Sequence, residues 1–562
     1  MAAVQEEETV NEVPTISAQT IIVIHPGSLN LRIGLASHHQ PITIPHVIAR
    51  RCKNKKLKRS RKNHFRRDGY KDTESNHLME AALANINHAL RSHRSNYGIK
   101  SQHYTVSSIL THNKNVKCEM VAQDPEKLLT WNDVDDQPDF VVGPAALYIE
   151  ESEPYELFWP IKFGQINRHK GISGSVTAIF SDLADIWKAA IEGYLDIPAT
   201  DFENYKALVL IPDIHDRSLF KHYADLLLNT LGFSGMFLYQ ESVAASFGAG
   251  FPSACVVDIG DQKASICCID DGISIPETRL RISYGGKDIT RCFYYLLDKI
   301  YFPYRDLSPY NHLDLILIKH LKEDLCHLDP TIPGGAIHDF IVAKPDCDEL
   351  HYSIRLGDEL LQAPLALFYP SLMGIIDEDI ITTQPSVPFD SEDIMDDPSL
   401  LESTQSQSGK VGPKSSSANQ SNSATPTPET PQTANSLSNN LSDKNIVSID
   451  QAIVYSIDSC PTDELKKKAL SSILLVGKGF MFDNAAFFLQ ARIRSKLPTG
   501  LKKYAEQIDV TGKVRDMDPG VVAWKGAAVL SCLDSAQELW ISPEEWNKYR
   551  IQILRERSPF VW

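Results

Sequence analysis

IIVIHPGSLNLRIGLA (21–36) and ACVVDIGDQKASICCIDDG (254–272) are two strand-turn-strand segments, and together they decide the fold of this chain. Each begins with an apolar run, passes through a tight turn that contains glycine, and returns as a second strand. Such a turn leaves backbone N–H groups pointing outward, where they can bind an anion. One hairpin alone is a common structural element, but two that face each other can hold a polyphosphate from both sides.

The composition is that of a globular protein with more than one domain. The chain has 562 residues, is 43% hydrophobic and carries a net charge of −16, which argues against non-specific nucleic-acid binding by the chain as a whole. Its ten cysteines form no CxxC pair, and this usage fits a reducing compartment. We predict no membrane-spanning segment and no secretory signal, because no apolar run has the required length or position.

Strands alternate with helices along most of the chain. A helix is predicted around DLADIWKAAIEGYL (182–195), and ALVLIPD (207–213) is typical of a buried strand. This alternation predicts an α/β architecture. SSILLVGKGFMF (471–482) adds a strand that enters a Gly-x-Gly turn, a place where a nucleotide can approach backbone, although the same pattern also occurs in ordinary turns.

Three polar segments interrupt this pattern. Residues 52–138 are polar and weakly periodic, and we interpret them as an inserted or mobile segment. Residues 376–446 are dominated in their centre by Ser, Thr, Asn, Gln and Pro, and no aromatic residue lies between Phe389 and Tyr455. Such a composition buries too little apolar surface to offset its ordering entropy. We therefore predict a disordered insertion there, and a disordered N-terminus at residues 1–18.

The order of the motifs resembles actin and the actin-related proteins, within the wider superfamily of sugar kinases and heat-shock chaperone ATPases. The resemblance is carried by VVGPAALYIEESEPYELFWPIKFGQI (141–166), GDELLQAPLALFYPSLMG (357–374) and VVAWKGAAVLSCLDSAQELWIS (521–542). It covers most of the chain outside the two insertions at 52–138 and 376–446.

The resemblance implies an actin-like ATPase fold, in which two duplicated ribonuclease-H-like α/β domains surround a nucleotide cleft and carry large disordered insertions. The first half would comprise residues 19–51 and 139–245. The second half would comprise residues 246–375 and 447–562, and the end of this last range would return to the first half.

The same resemblance implies a site for ATP or ADP. The phosphate groups would meet the two hairpins, whose matching positions are Gly27, Ser28, Leu29 and Arg32 in the first and Asp258, Ile259, Gly260 and Asp261 in the second. Asp258 would orient Mg²⁺ through its water shell. The nucleoside would meet Gly286, the helix residues Lys322 and Glu323, the turn Gly477, Lys478 and Gly479, and the aromatic Phe482. A solvated helix face would explain Lys322 and Glu323 equally well.

Three positions depart from the actin pattern, and a fourth, Glu241, keeps it. His25 replaces the first acidic residue of the metal-water site, which predicts weak Mg²⁺ binding, although an ordinary turn histidine would look the same. Ser265 replaces the histidine that positions the attacking water, and serine accepts a proton poorly. Lys478 replaces a glycine and would crowd the base. Glu241 matches a polar residue that helps to place the water, but it is also a charge favoured at a helix N-terminus. We expect ATP binding with very slow hydrolysis at most.

RRCKNKKLKRSRKNHFRR (50–67) contains eleven lysines and arginines and stands in place of the actin loop that makes filament contacts. Such a run suits DNA phosphates or a nuclear import receptor, and the alternative is a solvated, disordered run of charge. The predicted contact residues are Arg50, Arg51, Lys53, Lys55, Lys56, Lys58, Arg59, Arg61 and Lys62. Loss of the actin loop argues against a filament.

Within the family, IHPGS, IPHVIARR, VVDIGDQK and RERSPFVW are similar to a nuclear member of INO-eighty class nucleosome-remodelling complexes. The resemblance implies a nuclear, non-polymerising, ATP-binding architectural subunit with roles in transcription regulation, replication, recombination and the repair of DNA damage. Its implied partners are a remodelling ATPase subunit, actin, another actin-related protein, histones and nucleosomal or linker DNA. The alternative is an active ATPase or small-molecule kinase, for which Asp258, Asp261 and Glu241 are the candidate carboxylate bases.

Overall fold

Two groups of elements build the framework. The computed structural model describes residues 17–52, 63–96, 105–125, 128–171, 173–376, 380–384, 447–514 and 517–560. The first group contains, in chain order, β1 (Ile21–Pro26), β2 (Asn30–Leu35), β3 (Ile42–Pro45), β4 (Ile48–Arg51), α1 (Asp72–Asn96), α2 (Val106–Asn115), β5 (Glu119–Val121), β6 (Phe140–Val142), α3 (Pro144–Leu147), β7 (Tyr155–Phe158), β8 (Ile161–Lys162), β9 (Gln165–Ile166), α4 (Val176–Leu195), β10 (Lys206–Ile211), α5 (Phe220–Ala224), β11 (Gly235–Gln240) and α6 (Glu241–Ala249).

The second group follows it along the chain. It contains β12 (Ala254–Ile259), β13 (Ala264–Asp270), β14 (Ile273–Ser274), β15 (Leu280–Ile282), α7 (Gly286–Lys299), α8 (His312–Leu325), β16 (Ile337–Val342), β17 (Glu349–Arg355), α9 (Glu359–Gln362), β18 (Ile381–Thr383), α10 (Ile449–Asp458), α11 (Asp463–Ser471), β19 (Ile473–Val476), α12 (Ala485–Lys496), β20 (Val510–Thr511), α13 (Val522–Ser531), α14 (Pro543–Tyr549) and α15 (Ile551–Arg557). None of the helices in the described ranges is both long and apolar enough to cross a bilayer.

The two main sheets have the same topology. The first runs in the order β11–β10–β1–β2–β3, and the second runs β20–β19–β12–β13–β15–β18. In each, an antiparallel hairpin pairs through its first strand with a parallel strand from later in the chain: β1 with β10, and β12 with β19. The predicted α/β architecture is therefore present twice, and the turns of the two quoted hairpins occupy equivalent positions.

The central strands are apolar because both of their faces are covered. All six residues of β1 are buried, and five of the six in β12. One hydrophobic core lies on the outer side of each sheet, and a third lies between the sheets, around α6 and α13. The last described residues, including Trp546 and Phe560, pack back into the core of the first sheet.

Helices α6 and α13 cross at glycines between the two sheets. A Cβ atom added to Gly526 would lie 1.9 Å from the carbonyl oxygen of Ala244, and one added to Gly248 would lie 2.4 Å from that of Val522. The helices therefore approach each other more closely than any side chain would allow. Helix α6 leads from the first sheet to the second, and α13 leads back, so this crossing joins the two halves.

The inserted segment is more ordered than its sequence suggested. Helix α1 has 25 residues, and it buries a narrow stripe made of Met79, Ala82, Ile86 and Leu90. Leu83 packs beside this stripe, but most of the remaining positions are polar or exposed, and they dilute the helical period that sequence reasoning looks for. Only residues 53–62, 97–104 and 126–127 of this segment lie outside the described residues, as do most of the predicted disordered ranges (1–16, 377–379 and 385–446).

The inserted segment contacts both halves of the protein. Asp68 accepts a hydrogen bond of 2.8 Å from Lys162 of the first half, whereas Ser75 donates one of 2.8 Å to the Gly374 carbonyl of the second. Arg94 binds Asp358 through two hydrogen bonds of 2.9 and 3.0 Å. Strand β5 pairs with β17 as the edge strand of a three-stranded sheet. We call residues 63–96 and 105–125 the strap, because they leave the first half and pack on the second.

Candidate functional site

A cavity of about 460 Å³ lies between the two sheets, where their equivalent turns face each other. Its walls are the turn after β1, the turn after β12, the turn after β19, the start of α7, one face of α8 and the segment 518–520. This volume is within the range of small-molecule sites. The paired hairpins singled out in the sequence therefore do face one cavity.

Backbone hydrogen bonds join three turns of the second half, namely the turn after β12, the turn after β19 and the turn that leads into α7. The N–H of Gly479 donates to the Ile259 carbonyl at 2.8 Å, and that of Gly286 donates to the Gly260 carbonyl at 3.0 Å. A Cβ atom on Gly479 would lie 2.2 Å from the Gly260 oxygen, so only glycine permits this approach. The resulting floor is made of main chain, as suits a ligand with phosphate groups.

Nearly every sequence-predicted nucleotide residue lines the cavity. These are Gly27, Ser28, Leu29, Arg32, Asp258, Gly260, Asp261, Gly286, Lys322, Glu323, Gly477, Lys478, Gly479 and Phe482, together with Glu241. Ile259 does not, because its side chain is fully buried in the core of the second sheet. Its contribution is the carbonyl that accepts from Gly479.

Two of the predicted lysines behave differently from the sequence expectation. Lys322 is 2% exposed, and its ammonium donates to the Gly286 carbonyl at 3.1 Å, so the solvated helix face does not describe it. Burial lowers its pKa. Lys478 lies along the 518–520 segment and forms an ion pair of 2.6 Å with Asp518. Sequence reasoning missed Asp518, because no motif around it indicates that it would pair with Lys478 in the turn after β19.

The wall of the cavity contains buried polar atoms that have no partner among the described residues. They are the Nε atom of Arg32 and the Nδ1 atom of His25. Burial lowers the pKa of the Arg32 guanidinium, although Asp258 opposes this shift. Because a buried, unpaired donor is costly, the Arg32 guanidinium fits an anionic ligand in this cavity.

A cluster of charged side chains lies at the inner end of the cavity. Lys263 forms a buried ion pair with Glu241, and its Nζ atom is 4.0 Å from Asp258. The Nε2 atom of His25 is 3.5 Å from Glu241. Burial alone would raise the pKa of Glu241, but the Lys263 ammonium and His25 lower it to about 2. Sequence reasoning did not single out Lys263, whose ion-pair partner is 22 residues away.

Ser265, at the position of the missing histidine, does not face the cavity. It is buried in β13 opposite Asp258, and it is absent from the lining. Glu241 is the only other residue for which the sequence suggested a role in placing water, and its carboxylate is engaged by Lys263 and His25. This arrangement leaves little to activate a water molecule.

His46 holds the first turn in place from behind. Its Nδ1 atom is 2.8 Å from the Gly27 carbonyl, and Trp187 Nε1 is 3.4 Å from its Nε2 atom. In this arrangement Nδ1 donates and Nε2 accepts, so the ring is neutral. Burial lowers the pKa of His46 to about 4, against the hydrogen bond to Gly27.

This histidine predicts a loss of stability in mild acid. Its folded pKa lies below the ordinary value of 6.5, so between these two values only the unfolded chain takes up the proton. We expect the free energy of unfolding to fall as pH decreases through this window, by about 2 kcal/mol between about pH 7 and about pH 5. A His46→Asn variant, which keeps a donor for Gly27, should lose this component.

The measurement is a denaturation midpoint at both pH values for each protein. Asp213, whose pKa burial raises to about 6, titrates in the opposite sense in both proteins and cancels in the comparison. His39→Asn is the matched control, because His39 is exposed and should keep the wild-type dependence. Equal pH dependence in the wild type and His46→Asn would contradict this assignment.

Only two residues of the predicted cationic contact set are described, and both are paired within the chain. Arg50 in β4 donates to Asp182 and to Asp185, the latter at 2.8 Å. Arg51 donates to Asp139 at 2.9 Å. Contact of these two arginines with DNA therefore competes with ion pairs inside the chain, and it stays a prediction. The other seven cations, Lys53, Lys55, Lys56, Lys58, Arg59, Arg61 and Lys62, lie outside the described residues.

Comparisons with known proteins give one consistent result. A sequence model of the actin family matches residues 16–314 and 352–559. Actin-related protein 8 of Bos taurus is 39% identical over 97% of this chain and 93% of its own length, and the Homo sapiens protein gives the same values. The solved structure of human actin-related protein Arp8 in its ATP-bound state covers 100% of both chains, with a TM-score of 0.82 and 38% identity.

Proposed function

This chain belongs to the actin family, and on that basis we propose that it is a nuclear, non-polymerising actin-related protein. In this role it binds ATP or ADP in the cleft and serves as an architectural subunit of an INO-eighty class chromatin-remodelling complex. There it contributes to DNA and histone binding in transcription regulation, DNA repair, recombination and replication. The observation that carries the nucleotide part is the cavity formed by three interlocked backbone turns.

Several features of the cavity support a nucleotide as its ligand. The two hairpin turns and Arg32 present N–H donors at one end, and Lys322, Glu323 and Phe482 line another part of the wall. The Arg32 Nε atom is buried without a described partner. The human relative with 38% identity was solved in an ATP-bound state.

Slow or absent hydrolysis follows from the residues at the inner end. The position of the water-orienting histidine is Ser265, which does not line the cavity, and Glu241 is held by an ion pair. The test is a turnover assay on purified full-length protein, with Asp258→Ala as the control for site-specific activity. We expect tight binding with negligible turnover. Turnover above about 1 per second, the low end for kinases, that is lost in Asp258→Ala would instead favour the enzymatic alternative.

The seven cations between Lys53 and Lys62 support the chromatin role. A cationic run binds DNA through phosphates, with a salt dependence set by the number of contacts. Replacing all seven by glutamine should weaken binding to linker DNA and nucleosomes at low salt, and it should flatten the salt dependence by about 0.9 per lost contact. The control replaces the exposed Lys467, Lys496 and Lys502. Unchanged DNA and nucleosome affinity at low salt would contradict the role of the run.

Partners and assembly are tested on the native protein. We expect affinity purification to recover a remodelling ATPase subunit, actin and another actin-related protein. Sedimentation at high protein concentration with Mg²⁺ and salt should leave this chain in the supernatant. Pelleted filaments would contradict the non-polymerising role.

A further inference from the structure

Lys263 occupies a slot that reaches across the cleft between the two hairpin turns. It lies in the turn after β12, and its stem passes over Gly164 in the β8–β9 turn of the first half. A Cβ atom on Gly164, whose φ is +74°, would lie 2.4 Å from Lys263 Cδ. The N–H of Gly164 also donates to Ser28 Oγ at 3.0 Å. Because Gly164 has no side chain, the Lys263 stem can pass it and place its ammonium next to the first hairpin turn.

The ammonium remains charged in this position. Burial lowers the pKa of Lys263, but Glu241 and Asp258 outweigh it, and the net shift is upward. An ammonium has three N–H donors. Among the described residues, only the Glu241 carboxylate is within hydrogen-bond distance of Nζ. Two donors therefore remain in the cavity that Lys263 lines.

The surrounding side chains do not suit a hydrated magnesium ion. Mg²⁺ requires oxygen ligands in octahedral geometry and keeps several waters. Asp258 has an ammonium 4.0 Å away, and Glu241 already forms an ion pair. His25 supplies nitrogen where an oxygen ligand would be needed.

We propose that Lys263 takes the place of the divalent cation, so that this cleft binds a metal-free nucleoside polyphosphate. This inference rests on the proposed nucleotide binding and specifies the form of its ligand. Glu241, which His25 contacts in turn, holds the ammonium at the inner end of the cavity, and the two remaining N–H donors bind phosphate oxygens. A fixed, buried ammonium stabilises phosphate charge more strongly than an exposed lysine would.

The test compares metal dependence in matched variants. The dissociation constant of a fluorescent ATP analogue is measured with EDTA and with excess Mg²⁺, on full-length protein stripped of nucleotide. For the wild type we expect the two dissociation constants to agree within about threefold. This difference is smaller than the contribution of one charge-assisted hydrogen bond to binding. For Lys263→Met, metal-free affinity should fall by at least about tenfold. Lys263→Arg keeps the charge and should retain most of the metal-free affinity.

A second variant guards against misfolding. Lys263→Met leaves Glu241 buried without its cation, which can destabilise the fold. The double variant Glu241→Gln, Lys263→Met removes both charges, and it should fold while showing the same loss of metal-free binding.

The outcomes separate this inference from the proposed function. Wild-type binding that requires Mg²⁺ overturns the inference and leaves nucleotide binding intact. Metal-free binding at wild-type strength by Lys263→Met and by the double variant also overturns it. Wild-type protein that binds no nucleotide under either condition overturns the proposed function and this inference with it.

Discussion

Replacement of Gly479 by alanine is expected to weaken the proposed nucleotide binding by about tenfold. The new Cβ atom would lie 2.2 Å from the Gly260 oxygen and 2.8 Å from the Ile259 oxygen. Both are backbone atoms, so neither can rotate away as a side chain could. The turn must move outward, and this movement breaks the hydrogen bond from the Gly479 N–H to the Ile259 carbonyl.

The reason for so large an effect is that two walls of the cavity move together. The turns after β12 and β19 contact each other through main-chain atoms. A Cβ atom added to Gly286 would lie 3.1 Å from the Cα atom of Gly479. Overpacking of such a contact costs about 1–3 kcal/mol, and each 1.4 kcal/mol is about tenfold in affinity. The measurement is the dissociation constant of a fluorescent ATP analogue.

The matched control is Gly500→Ala. Gly500 is exposed, and an added Cβ meets no atom within 4 Å. We expect wild-type affinity for this variant. If Gly479→Ala also bound nucleotide as tightly as the wild type, the three-turn floor would not be the phosphate site.

Replacement of Gly526 by alanine should destabilise the whole protein by about 3 kcal/mol. A Cβ atom there would lie 1.9 Å from the Ala244 oxygen and 2.7 Å from the Gly248 nitrogen, so α6 and α13 must separate. These helices form the core between the two sheets, which includes Trp524. We expect the melting temperature to fall by roughly 5 °C or more.

Gly193→Ala is the control for helix propensity. Gly193 lies on the exposed face of α4, and an added Cβ meets nothing within 4 Å. Alanine at such a position is neutral or slightly stabilising. A similar melting temperature for Gly526→Ala and Gly193→Ala would show that the helix crossing tolerates a wider spacing than its geometry indicates.

Local patterns in the sequence were enough to predict most of the fold. The actin-like ATPase fold expected from the motifs is confirmed by the family match and by the human relative. The two hairpins were predictable because alternation and turn glycines are short-range signals. Residues next to those turns in sequence, such as Gly27 and Gly260, were placed correctly at the cavity for the same reason.

Long-range pairing was the part that sequence reasoning could not supply. The role of Lys263 depends on Glu241 and on a glycine at 164 that belongs to the other half. His46 looks like any histidine after a strand until Gly27 and Trp187 are in place. Helix α1 was missed because its buried stripe is narrow, and a polar background hides such a period.

The strap provides a second connection between the two halves. Helices α6 and α13 connect them at one edge of the cleft, and the chain connects them again through the strap, which leaves the first half after β4 and returns before β6. A body joined along two separate lines cannot rotate about either one. Wide opening of the cleft would break contacts of the strap with one half or the other, such as Asp68–Lys162 or Arg94–Asp358. We therefore expect the lifetime of the proposed nucleotide complex to follow the rate of this local unfolding, as if the ligand were a component enclosed during folding.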